Sequence, residues 1–116
     1  MAHKELAYTV IVDPAANDRM YEHMEFLARV SESAAARLLD NLIKDIRSLE
    51  SMPYRNPIYI RPFAPSGKYR YMISCKRYRI VYQIEKETVY VDDIQDCRQA
   101  DTKNLLIPEV DSFFEL

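Results

Sequence analysis

The sequence predicts an α+β fold, in which two N-terminal helices pack on one face of a small twisted antiparallel sheet. Helical periodicity is confined to the first half of the chain, and most strand-like segments follow it. The predicted order is β-α-α-β-β-β, with room for one further strand, and this order favours helices on one side of an antiparallel sheet. The length of 116 residues allows one domain. We expect residues 1–99 to form its body and residues 100–116 a tail, as a short helix or an arm.

The first strand and the first helix are predicted from a short apolar run and a capping signal. Leu6 to Val12 is rich in β-branched residues, which favour a strand. Asp13 and Pro14 come next, and these residue types suit the N-cap and the first helical position. We therefore expect a helix from about Pro14 to Arg29, with His23 on its exposed surface.

The second helix is predicted from one continuous apolar stripe. Ser33 is a suitable N-cap, and Pro53 ends the segment, so the helix should run from about Ala34 to Ser51. The short link between the two helices indicates an antiparallel helical hairpin. The stripe consists of Ala35, Leu38, Leu39, Leu42, Ile46 and Leu49.

The later strands lie between turn signals. Pro57 and Pro62 leave room for one short strand near Ile58 to Arg61, which we expect at an edge of the sheet. Three longer β-rich runs follow and should form the rest of the sheet. These runs are Lys68 to Ser74, Arg77 to Ile84 and Thr88 to Ile94.

Charge is unevenly distributed along the chain, although the net charge is only −2. Arg55 to Ile84 contains seven Lys or Arg and no Asp or Glu, whereas Glu87 to Leu116 contains eight Asp or Glu and two Lys or Arg. A basic middle could attract a phosphate backbone or an acidic peptide. The alternative is a solvated surface whose arginines pair with carboxylates of the same chain.

The stretch from Lys68 to Ile84, KYRYMISCKRYRIVYQI, is predicted to form a β-hairpin with one apolar and one basic face. The prediction assumes a turn near Ser74 to Arg77 with an even number of loop residues, and side chains that alternate along each strand. Helices would cover the apolar face, and the basic face would remain available for anions. The apolar face would carry Tyr69, Tyr71, Ile73, Tyr78, Ile80, Tyr82 and Ile84; the basic face would carry Lys68, Arg70, Met72, Arg77, Arg79, Val81 and Gln83.

Cysteine usage and hydropathy predict a cytoplasmic protein without a membrane segment. Cys75 and Cys97 lie in no C-x-x-C motif and are expected to be free thiols in a reducing compartment. With two histidines, they complete no metal-ligand spacing, so neither a metal nor a cofactor is expected. No apolar stretch approaches the roughly 18 residues that span a membrane.

At the hairpin the sequence resembles the RelE/ParE toxin superfamily. The string from Tyr78 to Gln83, YRIVYQ, resembles a Y-R-[LIV]-[VL]-Y-x strand of these toxins. SAAARLLDNL, from Ser33 to Leu42, is similar to the second helix of ParE-like members. The element order also agrees, and the resemblance covers about residues 6 to 99.

The resemblance implies the toxin of a type II toxin–antitoxin system. RelE-like members cleave messenger RNA on the ribosome without a metal, and ParE-like members inhibit DNA gyrase. A third alternative is a catalytically inactive relative that acts only as a protein-binding module. The implied partners are a cognate antitoxin and either the ribosome with its messenger RNA or DNA gyrase, and a homodimer is a further option.

The resemblance also implies site residues. Arg79 matches the arginine of the Y-R string, Arg70 matches a basic position on the neighbouring strand, and Arg98 aligns with a later basic position across a one-residue gap. In RelE-like members such side chains position the RNA and stabilise charge, which implies catalytic roles for these three arginines. The other basic residues of the hairpin are expected to contact RNA, namely Lys68, Lys76 and Arg77.

Two departures from the pattern of RNA-cleaving members bear on activity. Met72 stands where a second basic residue would lie on the earlier strand. The C-terminal tyrosine, or histidine–tyrosine pair, of active members is missing, because Cys97 to Asn104 reads CRQADTKN. A chain that has cations but no group to transfer protons should cleave RNA poorly, although it could still bind a partner.

Overall fold

A computed structural model describes residues 7–60, 62 and 65–97 of the chain. The predicted tail, residues 100–116, lies outside these described residues. Within them, no helix is long and apolar enough to cross a membrane. The elements are β1 (Thr9–Val12), α1 (Pro14–Ala28), α2 (Glu32–Ser48), a 3₁₀ turn (Pro53–Arg55), β2 (Ile58–Tyr59), β3 (Tyr69–Ser74), β4 (Tyr78–Glu85) and β5 (Thr88–Asp96).

The described strands form one sheet in the order β1-β5-β4-β3-β2, which confirms the predicted α+β class. The pairs from β2 to β5 are antiparallel, but β1 runs parallel to β5, with Thr9 opposite Thr88. The sheet is therefore mixed, and the expectation of a wholly antiparallel sheet is wrong at this one pair. Short hairpins fix the directions of β3, β4 and β5, whereas two helices follow β1 and leave its direction free.

The two helices begin at capping side chains. The Asp13 carboxylate accepts a hydrogen bond from the Ala15 amide at 2.9 Å, and Pro14 occupies the first turn, as predicted. Helix α2 begins two residues earlier than predicted, because Ser31 rather than Ser33 is its N-cap. Ser31 has an extended backbone, and its hydroxyl accepts from the Ala34 amide at 3.1 Å.

Helix α2 ends at Ser48, three residues before the predicted boundary. Met52 then adopts a left-handed backbone conformation with φ of 51°, which turns the chain toward Pro53. The Arg55 guanidinium donates to the carbonyl oxygens of Ser51 and Met52 at 2.5 and 3.1 Å. These bonds satisfy carbonyl groups just beyond the end of the helix.

The core lies between the helices and one face of the sheet. The predicted stripe of α2 faces inward, and Leu42 and Leu49 are fully buried. His23 is also buried, contrary to the expectation of a surface histidine, and its Nε2 donates to the Ile94 carbonyl at 2.8 Å. Its ring packs against Tyr78 with centroids 5.3 Å apart. A histidine at this position therefore ties α1 to β5.

Candidate functional site

The β3–β4 hairpin has a three-residue loop, and this sets which side chains share a face. Ser74 lies opposite Tyr78, so Cys75, Lys76 and Arg77 form the turn. Cys75 and Lys76 both adopt positive φ values, of 55° and 61°. The predicted division of the hairpin into an apolar and a basic face assumed an even number of loop residues, and it is wrong for β3. With an odd number, every β3 side chain lies on the opposite face from the one predicted relative to β4.

The outer face is the side of the sheet opposite α1 and α2. Tyr71 and Ile73 were predicted to lie beneath the helices, but they lie on this outer face opposite Val81 and Arg79. Tyr78 and Tyr82 remain on the helix-covered face, as predicted, and belong to the core. By strand register, the outer face carries Ile11, Tyr59, Tyr69, Tyr71, Ile73, Arg79, Val81, Gln83, Tyr90 and Gln95.

Arg79 is the centre of a cation–aromatic cluster on the outer face. Its guanidinium carbon lies 5.0 Å from the ring centre of Tyr59 and 5.7 Å from that of Tyr71. Its Nη1 donates to Gln95 Oε1 at 2.7 Å and to the Tyr59 hydroxyl at 3.3 Å. The two rings pack edge to face at 5.7 Å. Arg79 is thus held in one position with 9% of its surface exposed.

Arg70 lies on the other side of the sheet, since its register partner is the core residue Tyr82. Its Nη1 donates to the carbonyl oxygens of Asn56 and Tyr54 at 2.6 and 3.2 Å. Its guanidinium also lies 5.1 Å from the ring centre of Tyr54. Arg70 therefore anchors the 3₁₀ turn and the start of β2, and strand β3 separates it from the face that carries Arg79.

The other basic residues predicted at the site are dispersed. Arg77 forms two hydrogen bonds with Asp96, at 2.9 and 2.8 Å, and these raise the pKa of its guanidinium. Lys68 lies over the Tyr69 ring at 5.4 Å, and Lys76 is exposed in the turn at the opposite end of β3. Arg98 lies outside the described residues.

Tyr82, predicted on the apolar face beneath the helices, is a structural residue in the fold. It is fully buried; its hydroxyl donates to the Pro53 carbonyl at 2.6 Å and accepts from Asn56 at 3.0 Å. Burial raises the pKa of the Tyr82 phenol above its usual value. A phenol that is buried, bonded on both sides and harder to ionise is a poor general base.

Sequence reasoning missed the side chains that hold Arg79. Tyr59 comes from β2 and Gln95 from β5, and neither residue type indicates a site by itself. Alternation along β5 places Gln95 on the face opposite the buried Ile94. Its contact with Arg79 depends, however, on the register between β4 and β5, which the sequence does not state.

The comparisons agree with this fold. A family model described as the ParE toxin of the type II toxin–antitoxin system parDE matches residues 10–100. No curated protein matches the sequence. Among solved structures, a chain from the "Chromosomal ParDE TA system from P. aeruginosa" matches with a TM-score of 0.58 and 11% identity, over 78% of this chain and 96% of that chain. The predicted resemblance is confirmed, and the chain belongs to the ParE toxin family of type II toxin–antitoxin systems.

Proposed function

We propose that this toxin inhibits growth by binding a protein target, and that it does not cleave messenger RNA. DNA gyrase is the target that the ParE branch of the superfamily implies. The observation that carries the proposal is the separation of the arginines expected at a catalytic centre. Arg70 and Arg79 lie on opposite faces of the sheet, and Arg77 is bound to Asp96.

RNA cleavage without a metal needs cations and proton-transfer groups around one phosphate. Arg70 faces the carbonyl oxygens of Tyr54 and Asn56, so it and Arg79 do not converge on a common point. Tyr82 is enclosed in the core, which removes it as a proton acceptor. The arrangement of the described residues therefore supports binding and offers little for phosphodiester chemistry.

The outer face has the composition of a protein-binding surface. Tyrosine and arginine are enriched at the energetic centres of protein interfaces, and here Tyr59 and Tyr71 flank Arg79. Because the cluster already holds Arg79 in place, binding would lose little further side-chain entropy at this residue. Glu85 and Asp92 border a cavity farther along the sheet, and such carboxylates would repel a phosphate backbone.

The same proposal includes neutralisation by a cognate antitoxin, at a site separate from the outer face. A cavity of about 300 Å³ lies between β1 and the helical hairpin on the helix-covered side. Val10, Met20 and Ile43 line it, and Tyr21 at its border is 42% exposed. Asn17, Arg47 and Glu50 also line the cavity, so it offers a groove of mixed polarity that suits an amphipathic antitoxin helix.

Induced expression in a bacterial host tests the proposal. We expect growth arrest with uncut messages in primer extension, and inhibition of gyrase supercoiling by the purified chain. Cuts that appear at codon positions only after induction would contradict the proposal and support ribosome-dependent cleavage. Absence of arrest with folded, expressed protein would instead support the alternative of an inactive relative that only binds its antitoxin.

A further inference from the structure

One apolar side chain on the outer face is buried although neither α1 nor α2 lies over it. Val81 lies opposite Tyr71 on β3 and Asp93 on β5, and 0% of its surface is exposed. It does not belong to the core cluster beneath the two helices. Its strand neighbours shield its sides, whereas burial from above requires a further layer of chain over the sheet. The burial of Val81 therefore points to a segment that covers this face.

The half of the outer face formed by β2, β3 and β4 is apolar, aromatic and basic. Ile73 lies opposite Arg79 and is 47% exposed. The Lys68 ammonium lies over the ring of Tyr69 at 5.4 Å. Positions 55–84 include β2, β3 and most of β4, and they contain no Asp or Glu. A segment that covers this half should therefore combine apolar side chains with negative charge.

The last part of the chain has this composition. Positions 104–116 contain seven large apolar residues and three Asp or Glu, with no Lys or Arg. The other positions outside the described residues near either end of the sheet are 1–6, 61, 63 and 64. These carry Lys4 and Arg61 against a single acidic residue, Glu5, so their charge does not complement a basic surface.

The last described residue, Cys97, lies beside this half of the outer face. Its amide donates to the Arg77 carbonyl at 2.9 Å, and Gln95, two residues earlier, accepts a hydrogen bond from Arg79. The 19 residues from 98 to 116 can span about 28 Å as a helix and about 60 Å when extended. Three strand spacings, from β5 to β2, amount to about 15 Å. The segment is long enough to cross the sheet in either conformation.

We propose that residues 104–116 of this chain pack on the β2–β3–β4 half of the outer face, with their apolar side chains over Ile73 and Val81. This inference goes beyond the proposed function, because it assigns an occupant from the toxin itself to the surface at which the target is proposed to bind. A target that binds at Arg79 then has to displace this segment. The contact should weaken as salt concentration rises, because it joins opposite charges near the surface.

A photo-crosslinking amino acid in the full-length chain tests the inference. Phe113→p-benzoylphenylalanine replaces one aromatic ring by another, and illumination joins the new side chain to its nearest neighbours. We expect a cross-link within the monomer to peptides that contain β3 or β4, identified by mass spectrometry.

Ile73 and Ile43 provide matched control variants, because they are 47% and 37% exposed and belong to β3 and to α2 on the other side of the sheet. In the photo-crosslinking chain, Ile73→Asp should lower the cross-link yield by about fivefold or more, since the new charge repels the acidic segment. Ile43→Asp should lower it by less than about twofold. Thermal melting checks that both variants fold.

The position of the cross-link decides the outcome. Cross-links to α1 or α2, cross-links between two copies of the chain, or folded protein that forms no cross-link would each overturn the inference. Equal yields from the Ile73→Asp and Ile43→Asp chains would overturn it as well. None of these measurements involves gyrase, so the proposed function is tested separately by growth arrest and supercoiling.

Discussion

The two faces of the sheet use tyrosine in different ways. On the helix-covered face, Tyr82 is fully buried, and its hydroxyl is bonded to Pro53 and Asn56. On the outer face, Tyr59 and Tyr71 keep part of their surface exposed and flank a cation. The difference is set by α1 and α2, which, among the described elements, pack on one side of the sheet. Tyrosines beneath α1 and α2 therefore hold the fold, whereas Tyr59 and Tyr71 hold Arg79 on the opposite face.

The largest expected effect is a loss of stability on the helix-covered face. Leu42 is fully buried between the helices and the sheet, so Leu42→Ala should lower the free energy of unfolding by about 3 kcal/mol. Ile43, the next residue on α2, is 37% exposed, and Ile43→Ala should cost about 1 kcal/mol or less. Urea denaturation followed by circular dichroism measures both. Equal losses would show that the core is not where the structure places it.

A smaller loss of stability is expected when the buried hydroxyl of Tyr82 is removed. Tyr82→Phe leaves the Pro53 carbonyl and the Asn56 amide without this partner, and should cost about 1–2 kcal/mol. Tyr71→Phe on the outer face is the matched control and should change stability by about 0.5 kcal/mol or less. If the two variants unfold at the same urea concentration, the Tyr82 hydroxyl stabilises the fold no more than the Tyr71 hydroxyl does.

Arg70 should behave as a structural residue even though it carries the charge expected of a catalytic one. Arg70→Ala removes two hydrogen bonds to carbonyl oxygens and the contact with Tyr54, and should cost about 1–2 kcal/mol. Growth inhibition should fall only in proportion to the folded fraction, which thermal melting and soluble expression report. A fully folded Arg70→Ala that has lost all toxicity would place Arg70 in the functional surface instead.

The smallest effect is a loss of stability at alkaline pH. Burial raises the pKa of Tyr82 in the folded state, so the unfolded chain loses this proton first. The stabilisation is therefore complete below the usual tyrosine pKa of about 10 and is lost as pH rises from there through the folded-state value. Unfolding free energies at pH 8 to 11 should fall more steeply for the wild type than for Tyr82→Phe. If the unfolding free energies of the two proteins fall in parallel, groups other than Tyr82 cause the loss of stability at alkaline pH.

Periodicity and capping chemistry predicted the helical half of the fold well. The stripe of α2 and the Asp13–Pro14 start of α1 are local signals, and the structure retains both. The choice between Ser31 and Ser33 as N-cap could not be made from residue type, because either hydroxyl suits the position. His23 was misplaced because its partner, the Ile94 carbonyl, lies 71 residues away in sequence.

The candidate site was predicted less well because it depends on register. Arg79 was identified from the Y-R string, but its neighbours follow from a three-residue turn in which two non-glycine residues, Cys75 and Lys76, have positive φ. Such turns are hard to infer when no Gly or Asn marks them. The one-residue difference in loop length moved Arg70 away from Arg79 and brought Tyr71 beside it.

Arg79 and Arg70 provide the most direct test of the central claim, that the outer face acts by binding a protein target. Gyrase supercoiling is titrated with wild-type toxin, Arg79→Ala and Arg70→Ala, each checked for folding by thermal melting. Both variants lose hydrogen bonds and ring contacts, so inhibition by each is corrected for its folded fraction. We predict that folded Arg79→Ala no longer inhibits, and that folded Arg70→Ala still does. Inhibition by folded Arg79→Ala equal to that of the wild type would contradict the account.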